Sequence, residues 1–160
     1  MKGAAPGDAP KNGAKFRIEP IAEKLPFDFP ELIVEAERQG HEFVRRFVEN
    51  WQAGRERFSG PGEGVFAAFL GTKLIGIAGI AADPYLGDAN IGRIRHVFVT
   101  RAARREGVAS ALVATCLERG RRFHAIRLRT RNPDAARLYE RFGFAPVDLK
   151  DASHIRKARP

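Results

Sequence analysis

The sequence predicts an α/β (α+β) domain, a mixed sheet flanked by helices, and three observations carry that prediction. Segments with the two-residue period of a strand alternate along the chain with segments of helical period. Their order is strand, two helices, three strands, helix, strand, helix, two strands, which neither an all-helical nor an all-strand layer can accommodate. Two neighbouring runs, VFAAFLG and KLIGIAGIAA, are apolar almost throughout, as buried central strands are.

Residues 1–15 are rich in Gly, Ala, Pro and Lys without apolar periodicity, so they cannot offset the entropy of being ordered and read as a flexible tail. The domain then occupies residues 16–160. Phe16 to Glu19 is a short strand, and Pro20 to Pro30, with three prolines, is an irregular connection. ELIVEAERQ after Pro30 forms a helix that ends at Gly40, a residue favoured just past a helix end. Phe43, Val44, Phe47, Val48 and Trp51 share one face of a second helix, expected to run to about Phe58, with Phe47 and Trp51 filling the core.

After SGPGEG the two apolar runs pair as a hairpin turning at Gly71-Thr72, and Ile91 to Val99 is a third long strand. Val108, Leu112, Val113, Cys116 and Leu117 mark a helix that Gly120 ends. AIRLRT alternates Ile126, Leu128 and Thr130 with Arg127, Arg129 and Arg131, so the arginines are expected as an exposed row on one side of a strand, solvated or facing a cofactor. A last helix runs from about Pro133 to Phe142, Gly143 terminates it, and strands are expected at Phe144 to Val147 and His154 to Lys157.

With 160 residues, 44% apolar and 29% charged, the chain has the size and composition of one globular domain. No run approaches the roughly 20 apolar residues of a membrane span, and the opening lacks the apolar stretch of a signal peptide, so a cytoplasmic location without a membrane partner is expected. The single cysteine, Cys116, can form neither an internal disulfide nor a metal cluster; it is expected in the core, and no metal is expected. Charge is divided unevenly. Residues 1–90 carry 11 basic against 13 acidic side chains, whereas residues 91–160 carry 17 against 6, a net of +11. Such a field suits nucleic acid or a small ligand with several phosphates.

Arg95 to Val113, RHVFVTRAARREGVASALV, favours the small ligand. A strand leads through a basic turn into a helix opened by glycine. The first amides of a helix have no intrahelical acceptor, so they gather phosphate oxygens with the aid of the helix dipole. Gly107 and the small Ala109 permit close approach, and Arg104 and Arg105 add charge.

Here the sequence resembles the GNAT family of N-acetyltransferases, whose signature is Gln or Arg, two residues, Gly, one residue, then Gly or Ala. Arg104, Gly107 and Ala109 satisfy it, and NPDAARLYERFGFAPV resembles the family's last helix and following strand. The resemblance covers roughly residues 16–157. It implies a mostly antiparallel sheet of about six to seven strands with about four helices, with acetyl-CoA as cosubstrate and an amine acceptor, small molecule or protein. By that resemblance Val97, Phe98 and Val99 offer backbone groups to the pantetheine arm. The diphosphate rests on Arg104, Arg105, Glu106, Gly107, Val108, Ala109 and Ser110, the last adding its hydroxyl. Asn132 reads independently as an N-cap before Pro133 and, by resemblance, as a coenzyme A contact. Tyr139 lies seven residues on, nearly the same helix face, and is expected to be the general acid.

The sequence departs from the family at Arg93, where many relatives carry a glutamate that serves as base; an arginine cannot take a proton near neutrality. His96, Asp83 and Asp88 are alternatives, and none is assigned. A coenzyme A-binding sensor or interaction module is therefore a second reading. A nucleic-acid partner is not expected, since no DNA-binding motif is present and aromatics do not interleave with the basic residues. The acceptor and the oligomeric state, a homodimer included, are left open.

Overall fold

The computed structural model describes residues 16–158, so the tail expected over residues 1–15 lies outside the described residues. In chain order the elements are β1 (Phe16–Pro20), α1 (Phe29–Arg38), α2 (Phe43–Gln52), β2 (Gly64–Leu70), β3 (Lys73–Ala82), β4 (Ile91–Val99), a 3₁₀ turn (Arg101–Ala103), α3 (Val108–Arg119), β5 (Ala125–Leu128), α4 (Pro133–Arg141), β6 (Ala145–Leu149) and β7 (Ala152–Lys157). The expected α/β class and element order hold. Among the described residues no helix is long and apolar enough to cross a membrane.

Seven strands form one sheet in the order β1-β2-β3-β4-β5-β7-β6, and only β4 and β5 run parallel. Because side chains alternate across a strand, the apolar runs of β2 and β3 feed both faces. Phe66 and Ala68 join α3 and α4 residues such as Leu112, Cys116 and Tyr139 in one cluster. Val65 and Ala67 join α1 and α2 residues such as Leu32, Phe47 and Trp51 in the other. Phe47, Trp51 and Cys116 are buried, as their spacing implied, and burial pushes the Cys116 thiol up.

Three expectations need correction. The second helix stops at Gln52 rather than near Phe58, because Gly54 turns left-handed at φ 77° and the amide of Arg55 closes back onto the Asn50 carbonyl. β5 ends at Leu128 rather than Thr130: its pairing with β7 stops there, and the Thr130 amide instead donates to Ser153 Oγ. The final strand, expected at His154 to Lys157, is an interior strand between β5 and β6. It begins at Ala152, and β6 is shifted to Ala145–Leu149.

The parallel pair positions the site. β4 and β5 are paired only from Ile91↔Ala125 to Arg93↔Arg127. Beyond that rung β4 continues to Val99 while β5 ends at Leu128, so the two strands part and leave a wedge between their C-terminal ends.

Candidate active site

One wall of the wedge is the free edge of β4. Opposite β3, the pairs Ile77↔Phe98 and Gly79↔Arg95 leave one extra residue on β4, a bulge. His96 sits in it at φ 61°, a conformation histidine tolerates better than branched residues. The bulge rotates the following residues, and Val97, Phe98 and Val99 carry the unpaired edge towards the next loop. His96 itself turns to the α2 face, where its ring meets those of Phe47 at 5.3 Å, Phe58 at 6.0 Å and Phe43 at 6.4 Å. Its buried Nε2 has no hydrogen-bond partner among the described residues, and desolvation lowers its pKa to about 4.

The loop after β4 closes the wedge at its wide end. Thr100 is tied to β3 through its amide and the Ile75 carbonyl at 2.9 Å, and the 3₁₀ turn then leads to Arg105 at φ 67° and Gly107 at φ 84°. These two left-handed residues bend the chain so that α3 starts directly after Gly107. Among the described residues, none accepts a hydrogen bond from the amides of residues 105–110. A Cβ on Gly107 would meet no atom within 4 Å, so the glycine faces open space. Unpaired amides, the positive end of α3 and open space in front of Gly107 suit a diphosphate. The side chain of Arg104 is not directed there. Its Nε donates to the Val99 carbonyl at 3.1 Å, its Nη2 to Gln39 Oε1, and its guanidinium lies 5.8 Å from the Phe98 ring. Arg104 thus braces the loop.

The opposite wall begins where β5 ends. Asn132 is the N-cap of α4, its Oδ1 accepting from the amides of Asp134 at 2.8 Å and Ala135 at 3.4 Å, which leaves Nδ2 to donate elsewhere. Tyr139, two turns on, is only 6% exposed and packs edge-on against Phe144 at 5.8 Å. Burial raises its pKa, keeping the phenol protonated. The fully enclosed side-chain N and O atoms without a partner among the described residues are His96 Nε2 and Arg127 Nε.

At the closed end of the wedge lies a group that the sequence did not reveal. Asp83, fully enclosed, has Oδ2 3.2 Å from Arg93 Nη1 and 3.6 Å from Arg127 Nε, while Arg127 Nη2 donates to Asp151. Arg127, expected on an exposed row with Arg129 and Arg131, is 3% exposed and so departs from the expectation. Its alternation was read correctly, but the non-core face of β5 is covered here by the β6–β7 turn. Two guanidiniums hold Asp83 as their counter-ion. Asp88 serves a turn, its Oδ1 accepting from the Asn90 amide at 2.9 Å.

Comparison with known proteins bears on the family and the fold. The model of the Acetyltransferase (GNAT) family matches residues 22–144, which span both walls of the wedge. No curated protein matches. Among solved structures, a candidate acetyltransferase from Exiguobacterium sp. 255-15 superposes with TM-score 0.79 at 24% identity, covering 89% of this chain and 93% of that one. The ribosomal-protein-S18-alanine N-acetyltransferase of Escherichia coli gives 0.64 at 15% identity, covering 91% and 96%. A tyrosine-to-phenylalanine variant of the toxin AtaT, bound to the C-terminus of the antitoxin AtaR and acetyl-CoA, gives 0.67 at 13% identity, covering 89% and 93%. By the family match, and in the fold those structures share, the chain belongs to the GNAT family of acetyltransferases and is by that membership an acyltransferase.

Proposed function

We propose that the chain transfers the acetyl group of acetyl-CoA to a primary amine by direct attack. The observation that carries this reading is the row of unpaired amides at residues 105–110, set beside the unpaired edge of β4 where it parts from β5. In this reading the backbone of residues 104–110 and the Ser110 hydroxyl hold the diphosphate. Val97, Phe98 and Val99 pair with the peptide-like pantetheine arm, and Asn132 Nδ2 donates to it from the facing wall. Binding of acetyl-CoA to one neighbour in this fold is compatible with that assignment.

The reaction needs no covalent enzyme intermediate. A neutral amine forms the N–C bond at the thioester carbonyl, whose oxygen is polarised by β4 amides. The C–S bond breaks, the thiolate takes a proton from Tyr139, and the nitrogen releases its extra proton to water. No carboxylate base is assigned, since Arg93 occupies the usual place and Asp83 is held by two arginines. The acceptor side is built by α1, α2 and their loops, in the half of the chain with net charge −2, which favours a cationic amine, free or on a protein. The reaction is placed in the cytoplasm, where acetyl-CoA and a reduced Cys116 coexist. The presence of Arg93 favours one alternative, a sensor that binds acetyl-CoA without turning it over.

A screen of diverse amines with acetyl-CoA, reading freed thiol, tests the proposal together with Tyr139→Phe. A general acid contributes about 10²–10⁴ in rate, so turnover should fall in that range with cofactor affinity little changed. A fall below about threefold removes Tyr139 from the mechanism. Cofactor binding without turnover on any amine identifies the sensor.

A further inference from the structure

The loop read above as the diphosphate site contains few bonds of its own. Its internal backbone bonds are Ala103 N–H to the Thr100 carbonyl at 3.0 Å and Arg104 N–H to the Arg101 carbonyl at 3.2 Å. Two left-handed residues follow within three positions, and one of them, Arg105, has a side chain that disfavours that conformation. Such a segment keeps its shape only when its surroundings over-determine it. The surroundings here are the last turns of α1.

Glu35 and Gln39 lie four residues apart, on one face of α1 and just past its end, and both are half-buried. Glu35 Oε2 accepts from the Arg101 amide at 2.5 Å and from Gln39 Nε2 at 3.0 Å. That second bond orients the Gln39 amide, so that its Oε1 points to Arg104 and accepts from Nη2. Arg104 in turn reaches back to the Val99 carbonyl. A closed chain of hydrogen bonds therefore runs from one helix through both ends of the 3₁₀ turn to the end of β4. It fixes where the free amides of residues 105–110 point, without touching the space in front of them.

We propose that Glu35 and Gln39 are positioning residues for the anion-binding loop, clamping it through the Arg101 amide and the Arg104 guanidinium so that its amides are pre-aligned for the cosubstrate's diphosphate. The proposal rests on the acetyl-CoA reading of the site. It also gives the arginine of the family signature a bracing role in this chain, with the backbone left to meet the phosphates. Because one carboxylate oxygen serves both bonds, a glutamine amide oxygen at position 35 can replace it, whereas alanine cannot.

Calorimetric titration of the full chain with coenzyme A and, separately, with adenosine 3′,5′-diphosphate and pantetheine provides the test, with melting temperatures of the unliganded proteins alongside. Glu35→Ala should weaken coenzyme A binding about tenfold, the loss of one charge-assisted bond, and Gln39→Ala by several-fold. Glu35→Gln should stay within about threefold of the wild type. Pantetheine, which lacks phosphates, should bind all four proteins alike, and with an acceptor in hand KM for acetyl-CoA should rise while kcat holds. Wild-type affinity in both alanine variants overturns the clamp, as does an equal loss for pantetheine. If Glu35→Ala does not fold, Gln39→Ala decides. A wild-type chain that binds pantetheine but not coenzyme A overturns the diphosphate reading, and the clamp falls with it.

Discussion

The two ends of the wedge between β4 and β5 are built by opposite means. At the wide end, residues 105–110 present backbone amides that have no partner among the described residues, and the Arg104 side chain before them is turned aside. At the closed end, Asp83, Arg93, Arg127 and Asp151 present side chains that form ion pairs with one another and are nearly all sealed from water. Backbone donors left free by geometry are available to a ligand. Charged side chains paired at close range are committed to the fold. The region with more formal charge is thus the one whose groups are already engaged with one another.

Substitutions at the two ends should therefore fail differently. The largest effect is expected from Gly107→Glu, which places a side chain and a negative charge in front of the amides and forces a non-glycine residue to φ 84°. Losing two or more charge-assisted bonds of roughly 1.5–3 kcal/mol each lowers coenzyme A affinity by more than about 10²-fold. Calorimetry on the folded variant checks this, and unchanged affinity would move the phosphate site elsewhere.

At the closed end, Asp83→Ala should leave the buried Arg93 without its carboxylate partner and Arg127 with Asp151 alone, and cost about 3–5 kcal/mol in urea denaturation. Asp88→Ala, in an exposed turn, should stay within about 0.5 kcal/mol. If instead Asp83→Asn folded, bound cofactor and lost all activity at every pH, the closed end would be catalytic and the contrast would break.

His96 joins the two ends through the bulge, and its burial has a pH signature. Its proton is held more weakly in the folded chain, at a pKa of about 4, than at the ordinary value of 6.5. Stability is therefore full above pH 6.5 and declines as pH falls from there towards 4, by roughly 3 kcal/mol. His96→Asn, which tolerates the positive φ without titrating, should flatten that part of a stability-against-pH curve. The smallest effect belongs to Ser110→Ala, about three- to tenfold in coenzyme A affinity, because one neutral hydroxyl among several amides is lost. A larger loss would show that the wide end depends on side chains as well.

What could be read in advance follows the same division. The start of α3 was legible because Gly107, Ala109 and the helical period after them are local in sequence, and an N-terminus leaves free amides in any fold. Asn132 was legible because an Asn-Pro pair caps a helix whatever surrounds it. Arg127 was misjudged because alternation tells which face a residue takes but not whether a distant turn covers it. Glu35 and Gln39 gave no signal, since a four-residue spacing on a helix marks a shared face and says nothing of a partner 66 positions away.

By itself, then, the sequence determined the order and type of the elements, the family signature at Arg104, Gly107 and Ala109, and the polarity of the two halves, all properties of short windows or of summed charge. The tertiary structure alone decided that β7 enters between β5 and β6, that β4 and β5 part after Arg93↔Arg127, and that Asp83 is consumed by two arginines. Each of these is a contact between segments far apart in the chain. It is fixed by packing and charge compensation once the sheet has closed, and the residues of either segment taken alone do not encode it.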